Sequence, residues 1–573
     1  MLAGNKRRYG SAVLYVVLVG SCQASGPAPK DGDAGLRTDL RRVDLGANDG
    51  APSGADQRLL FDTRVDVDAT FAEAGVAADG SPVDAQVADG AASPPCPGID
   101  QCLVAGRCYQ NGQVADDGCA SCQPAISKVA LTAIAGPLCV DWIRSFASST
   151  NNSGPFHVAV GGDDNPYITG SFFKDVELGG TKLVETAGGD RFIASYNRQN
   201  GTLRFAEQYK LSTFWSAPQI QLATDAQGGV FVGIQNPQTL VLQGATIQAK
   251  SRGDAVLVRY DSSGKVGSHT SYGDASEPSS VTSLFAIGST GSDVLLTGNF
   301  THSTHFGGGR LAPAAGIGAL GSFGFFARVD RNGAHKASFV LGGKHKERGT
   351  AIAVDSKGNV VVAGVFEVST DLGAGTLISA GGEDIFLAKF DPGGKLVWQR
   401  RIGGTGNDRS FSLCFDSKDN LVVGGLFFES ADFSPSVKRI GNGRNDAAIA
   451  KYDPNGKLIF VTSFGGARDD GVEWVLCGAN DVIVAGGYFQ DSVDFGSGPI
   501  AARGWRDLFV MRLDGAGSID LTRTFGSADV DAMPGGAMDS QGAIYAVGWS
   551  YQPLDVGSRR IQGPGWLIRF AKP

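Results

Sequence analysis

The chain has 573 residues, of which 83 are Gly and 23 are Pro, about 18 % together against an average nearer 12 %. With 19 % charged and 42 % hydrophobic residues, 32 Phe among them, it carries the apolar material of a sizeable core, which excludes wholesale disorder. A net charge of −8 offers no basic field to a phosphate backbone and argues against sequence-independent nucleic-acid binding.

The first element is an export signal. Lys6, Arg7 and Arg8 form a basic head, and the apolar run from Ala12 to Val19 is too short to span a bilayer. It ends in Val19-Gly20-Ser21-Cys22. That ending resembles the lipobox of bacterial lipoproteins, which implies cleavage after residue 21 and diacylglycerol on the Cys22 thiol. Gln23 is not the Asp that often retains such proteins at the inner membrane, so the outer membrane is the expected address. From Gln23 to Pro95 there are 12 Asp and one Glu against one Lys and five Arg, a net charge of −7 that leaves −1 for the rest of the chain. With Phe61 and Phe71 its only aromatic residues, this stretch cannot bury enough surface to offset its ordering entropy, so residues 22–95 read as an acidic, disordered tether behind the lipidated cysteine.

Residues 96–139 hold Cys96, Cys102, Cys108, Cys119, Cys122 and Cys139. An even number in an exported chain predicts three disulfides, with 15 connectivities open. Cys119-Ala-Ser-Cys122 has a spacing that zinc or thiol exchange can use, but neither a second such pair nor a βαβ context accompanies it. The stretch through Gly106-Arg107-Cys108-Tyr109 and Cys119-Ala120-Ser121-Cys122 resembles short cysteine-rich modules of secreted proteins in predatory soil bacteria, a likeness that implies no activity.

From residue 140 the chain repeats. A glycine closing a β-rich run recurs at Gly170, Gly233, Gly298, Gly364, Gly425, Gly486 and Gly548, at spacings of 63, 65, 66, 61, 61 and 62. A second run carries a basic residue at Arg259, Arg328, Lys389, Lys451, Arg512 and Arg569, with Ser195 in the first unit. Turns such as Asp453-Pro454-Asn455-Gly456 and 391–394 mark hairpins, and the pattern gives four strands per unit without helical periodicity. Seven such units predict an all-β fold, a seven-bladed β-propeller with four-stranded blades over residues 140–573, rather than a solenoid. The chain ends decide between the two. The seventh unit stops at Trp566-Leu567-Ile568-Arg569-Phe570, and the strand it lacks stands at the other end, where Trp142-Ile143-Arg144-Ser145-Phe146 aligns with 398–402. An N-terminal strand completing the last blade closes the ring and hides two sheet edges.

Gly403-Gly404-Thr405-Gly406-Asn407-Asp408 and Gly465-Gly466-Ala467-Arg468-Asp469-Asp470, with their sequels, resemble the bacterial β-propeller repeats called SBBP. The likeness is clear in units four to six and partial in unit seven, while units one to three diverge, with Phe323 where the repeated Asp would stand. It implies a propeller on an exported protein and supplies no catalytic residues.

The candidate chemistry is sparse. Asp408, Asp470 and Asp531 stand at equivalent places in the loops entering three inner strands; a ring would gather them near the channel mouth, where they could bind calcium, another cation or a basic ligand, or else they accept loop amides and fix the loop. Calcium is the only cofactor suggested. His302-Ser303-Thr304-His305 has two imidazoles at metal-binding spacing but no evident third ligand. Cys414 and Cys477 lie about two positions out of repeat equivalence and read as buried free thiols. Trp474, Trp505, Trp549 and Trp566 read as fillers between blades, an exposed aromatic platform being the alternative. No catalytic residue is indicated. The expected role is a lipid-anchored, non-enzymatic binding or scaffold module at the bacterial envelope, with an envelope or extracellular protein or glycan as partner, no nucleic acid, and the membrane reached only through the anchor. The alternatives are an extracellular polysaccharide hydrolase or lyase with acids at the channel mouth, or a mere spacer.

Overall fold

The computed structural model describes residues 101–104, 107–110, 120–122, 131–133 and 138–572, apart from short stretches at 151–152, 187–188, 212–219, 237, 314–320, 343–344 and 558. The signal, Cys22 and the tether lie outside the described residues. Of the cysteine-rich stretch the described parts are two antiparallel hairpins, Gln101–Val104 with Arg107–Gln110 and Ala120–Cys122 with Leu131–Ala133. Cys139 is disulfide-bonded; the pairing of the remaining cysteines there lies outside the described residues.

Seven sheets follow, each with a core of four antiparallel strands. Blade 1 spans 154–211, blade 2 220–272, blade 3 282–341, blade 4 347–402, blade 5 409–464, blade 6 471–525 and blade 7 531–570. Second strands such as Val360–Asp371 begin as unbroken buried runs, because neighbouring blades cover both faces of the sheet. Outer strands such as Leu396–Ile402 are mostly half-buried, with Trp398 and Ile402 turned inward and Val397 exposed. Each inner strand touches the next round the ring, and Asp531–Met538 meets Gly154–Val160. The circle is closed as the sequence predicts. Val140–Phe146 forms the fourth strand of blade 7 against Gly565–Phe570, with Phe146 opposite Gly565 and Trp142 opposite Arg569. Trp142 and Phe146 are buried in a cluster with Ile168, Phe172 and Tyr196 of blade 1 and Tyr545 and Leu567 of blade 7.

Five of the seven landmark glycines share one physical reason. At Pro155/His157, Leu284/Ala286, Gly349/Ala351, Ser410/Ser412, Val472/Trp474 and Ala532/Gly535 the inner strand shifts register, a bulge that tilts a carbonyl toward the second strand. A Cβ on Gly364 would stand 2.3 Å from the Arg348 carbonyl, and one on Gly425 2.1 Å from that of Arg409. In blade 6 the glycine against that carbonyl is Gly487, one place past the landmark. Blade 2 pairs without a register shift in its inner strand, and there Gly233 faces the side chains of Leu284 and Ile287 instead.

Between its second and third strands every blade also carries a hairpin that the four-strand reading lacks. In blade 1 it is Asp175–Leu178 with Thr181–Val184, and in blade 2 Thr239–Leu242 with Ala245–Gln248. In blades 4 and 5 it continues the strands themselves, so that Thr376–Phe390 and Val437–Tyr452 are 15 and 16 residues long. These hairpins reach the preceding blade: Glu177 bridges Ala147, Asp432 bridges Gly403 and Asp555 bridges Gly526.

Candidate functional sites

The loops that enter the inner strands of blades 5, 6 and 7 bring in Asp408, Asp470 and Asp531 at equivalent places, each without solvent-exposed surface. Their oxygens hold loop amides. Asp408 accepts from Gly404 at 2.8 Å and Phe428 at 3.0 Å, Asp470 from Gly466 at 2.7 Å and Gln490 at 3.0 Å, and Asp531 from the amide and hydroxyl of Ser527 at 2.6 and 2.9 Å. Burial disfavours the charged form and outweighs these bonds, pushing the carboxyls up to about 6, 7 and 6 respectively. A second acid, Asp384, Asp446 or Asp507, lies close to each and adds to the rise. The polysaccharide-cleaving alternative would require these loops to open.

At the opposite ends of the inner strands the recurring basic residue has a recurring partner. Lys389 Nζ lies 2.9 Å from Asp355 and Lys451 Nζ 2.7 Å from Asp416, all four side chains buried; Arg259 meets Asp225 at 2.7 Å and Arg328 meets Asp293 at 2.6 Å. Blade 1, with Ser195 in the basic position, supplies Arg204 from its outer strand, 2.8 Å from the Ser195 hydroxyl and 2.9 Å from Asp163. The repeat made the basic residue legible in the sequence. Its acid, one strand away across a turn, was not connected to it.

Among the described residues no three His, Cys, Asp or Glu side chains gather as a metal site. His305 Nδ1 accepts the Gly307 amide at 2.9 Å, within the small hairpin Thr304–His305 with Arg310–Leu311. The reading of Cys414 and Cys477 as free thiols is corrected. They form a disulfide between the inner strands of blades 5 and 6, with Cα atoms 5.7 Å apart. Repeat equivalence is a rotation about the ring, whereas bonding requires proximity across an interface, and these two strands meet at residues 63 apart: Ser412 Oγ accepts the Val475 amide at 3.1 Å. Trp474 and Trp566 are buried between blades as expected. Trp549 is half-buried beside Tyr551. Trp505 departs from the expectation: it is 58 % exposed, with the Arg468 guanidinium 4.8 Å from its ring centre and Asp491 2.8 Å from that guanidinium.

The inner face of the ring is one surface of half-buried side chains. The inner strands are flanked by one another, so a half-buried side chain in mid-strand meets solvent only along the ring axis. The bulges place Phe156, Phe285, Thr350, Phe411 and Glu473 there. Burial pushes the Glu473 carboxyl up, opposed by Arg506, and pushes His157 down to about 4. Toward one mouth Arg348 and Arg409 share Glu383 at 3.0 and 3.6 Å. The second surface is a groove of about 1040 Å³ on the rim between blades 4 and 5. Its lining combines Phe433, Val437, Leu458, Phe460 and Val461 with Arg400, Arg401, Arg439, Lys457 and the single carboxylate of Asp432. No sequence signal marked it, because its parts come from stretches far apart in the chain, from Leu377 to Val461.

No family model matches the sequence. Over 152 residues the chain is 31 % identical to the regulatory protein FlaEY of Caulobacter vibrioides, covering 25 % of this chain and 16 % of that protein. Over 109 residues it is 29 % identical to an uncharacterised WD repeat-containing protein of Acanthamoeba polyphaga mimivirus, covering 16 % of this chain and 8 % of that one. The chain thus spans only a small part of the length of either relative. Among solved structures, a streptogramin B lyase is similar at 10 % identity and a TM-score of 0.37, over 75 % of this chain and 98 % of that one. BamB from Moraxella catarrhalis is similar at 11 % identity and a TM-score of 0.34, over 76 % and 100 %. What makes this chain a seven-bladed propeller is its own strand pairing, which joins residue 140 to residue 570 in one blade.

Proposed function

We propose that this chain is an exported, lipid-anchored propeller of the SBBP repeat type that serves as a non-enzymatic binding or scaffold module at the bacterial envelope, carried on the outer membrane by diacylglycerol at Cys22. One observation carries the binding part of the reading. The repeated charged groups are engaged in holding the fold together, Asp408, Asp470 and Asp531 by loop amides and Lys389 and Lys451 by buried acids, while a groove with unneutralised cations stays open on a rigid rim. Rigid scaffolds that present open surfaces suit recognition. The export part rests on the signal sequence, and a disulfide between two blades is in keeping with an oxidising compartment. The test is to immobilise the chain, pass over it solubilised envelope proteins and envelope polysaccharides with and without calcium, and measure both retention and polymer length. A specific partner retained at unchanged length is the expected result. Shortened polysaccharide would overturn the non-enzymatic reading, and empty beads in both conditions would leave a spacer.

A further inference from the structure

We propose that the rim groove between blades 4 and 5 docks an extended acidic peptide segment of a partner protein. The inference rests on the binding-module reading and names its ligand class. Its first support is charge. Arg400 lies with its guanidinium 5.7 Å from the Trp398 ring centre and donates to the carbonyls of Gly456 and Asn455 at 2.9 and 3.2 Å. Arg439 donates to the Val461 carbonyl at 3.0 Å. These bonds orient both cations without neutralising them, and Lys457 next to them is exposed. Asp432, the one carboxylate in the lining, lies 3.4 Å from Arg401, which also holds Asp384 at 2.7 Å. A chain of net charge −8 thus concentrates positive charge in one groove, which selects for anions.

The second support is the kind of anion the groove fits. Its floor of Phe433, Val437, Leu458 and Val461 is apolar, so the ligand must bring apolar side chains as well as carboxylates. The outer strands that border it, Leu396–Ile402 and Leu458–Phe464, are the last in their sheets and have an edge with no strand partner. Blade 1 shows how such an edge is covered in this fold: its outer strand takes on the hairpin of blade 2, with Lys210 opposite Val241 and Leu211 opposite Leu240. The blade 5 hairpin bridges the end of blade 4 at Gly403 and runs on as a wall of the groove. An extended segment alternating acidic and apolar residues would lay one face on the floor, the other along the cations, and its backbone along the free edge.

The test uses the full chain and a short fluorescein-labelled peptide alternating Asp with Val, read by fluorescence anisotropy, with a Lys/Val peptide and polygalacturonate as comparators. Saturable binding of the Asp/Val peptide alone is expected, with affinity falling about tenfold in the Arg439→Glu/Lys457→Glu variant and falling again with added salt. The melting temperature of the variant must match that of the parent; should it not, Lys457→Glu alone, on an exposed side chain, gives the reading. No saturable binding of the Asp/Val peptide, equal binding to parent and variant, or binding of polygalacturonate in its place would each overturn the proposal. If the variant still retains an envelope partner from the immobilised-chain experiment, the groove assignment fails and the binding-module reading stands.

Discussion

The disulfide between Cys414 and Cys477 gives the sharpest quantitative handle. It joins the inner strands of two neighbouring blades across a sequence separation of 63, so in the unfolded chain it closes one long loop. The loop-closure relation gives roughly −14 cal/mol/K for that length, or about 4 kcal/mol of stabilisation at 25 °C. An unfolding entropy of about 2.1 cal/mol/K per residue over a ring of roughly 430 residues amounts to about 0.9 kcal/mol/K, so removing the bond should lower Tm by about 5 °C. The assay is scanning calorimetry of parent and Cys414→Ala/Cys477→Ala proteins, with mass spectrometry after alkylation in denaturant without reductant. Alkylation of both thiols in the parent, or a double variant melting within about 1 °C of it, would refute the reasoning.

Three further outcomes are expected. Replacing Lys451 by Met leaves Asp416 buried beside an apolar chain, which should cost about 3–5 kcal/mol in urea unfolding, and adding Asp416→Asn should restore most of it. Burial raises Asp470 to about 7 in the fold; the folded form therefore takes up its proton more readily than the unfolded one, and this residue's contribution to stability is full below about pH 4 and lost as pH rises through about 7. The difference in stability between parent and Asp470→Asn should accordingly shrink from pH 5 to pH 8, and a pH-independent difference would contradict the assignment. Deleting 140–146 removes the fourth strand of blade 7 and bares the edge of Gly565–Phe570, so the product should unfold or self-associate in gel filtration; a monomer with unchanged Tm would contradict ring closure.

Much of the ring was legible because its periodic signals have strict physical causes. A glycine under a bulge carbonyl accepts no substitute, and an Asp-Pro-Asn-Gly turn needs its Gly456 at φ +77° and its Asp453 oxygen on the Asn455 and Lys457 amides. The hairpins between second and third strands were not legible, since they vary from the two-residue arms at Thr304 and Arg310 to the long continuous arms of blade 5 and share no residue pattern. The disulfide escaped because rotation about a ring does not give lateral proximity. Asp408, Asp470 and Asp531 were found by their period, but period alone does not say whether a carboxylate faces a channel or its own loop. The groove draws on 399–401, 432–439 and 456–461, which meet only after two outer strands and a hairpin are in place.

The latch formed by Val140–Phe146 sets the order in which this protein can be made. Arg569 meets Asp141, a residue 428 positions earlier, so the first-made strand of the ring has no partner within its own sheet until residues 565–570 are made. At about 5–20 residues per second that wait is roughly 20 to 90 s. Throughout it the strand containing Trp142 and Phe146 can pack its side chains on Phe172 and Tyr196 of blade 1 while its main-chain edges stay open. Ring closure therefore waits on the last strand of blade 7, and until that strand is made blade 1 alone holds the waiting one.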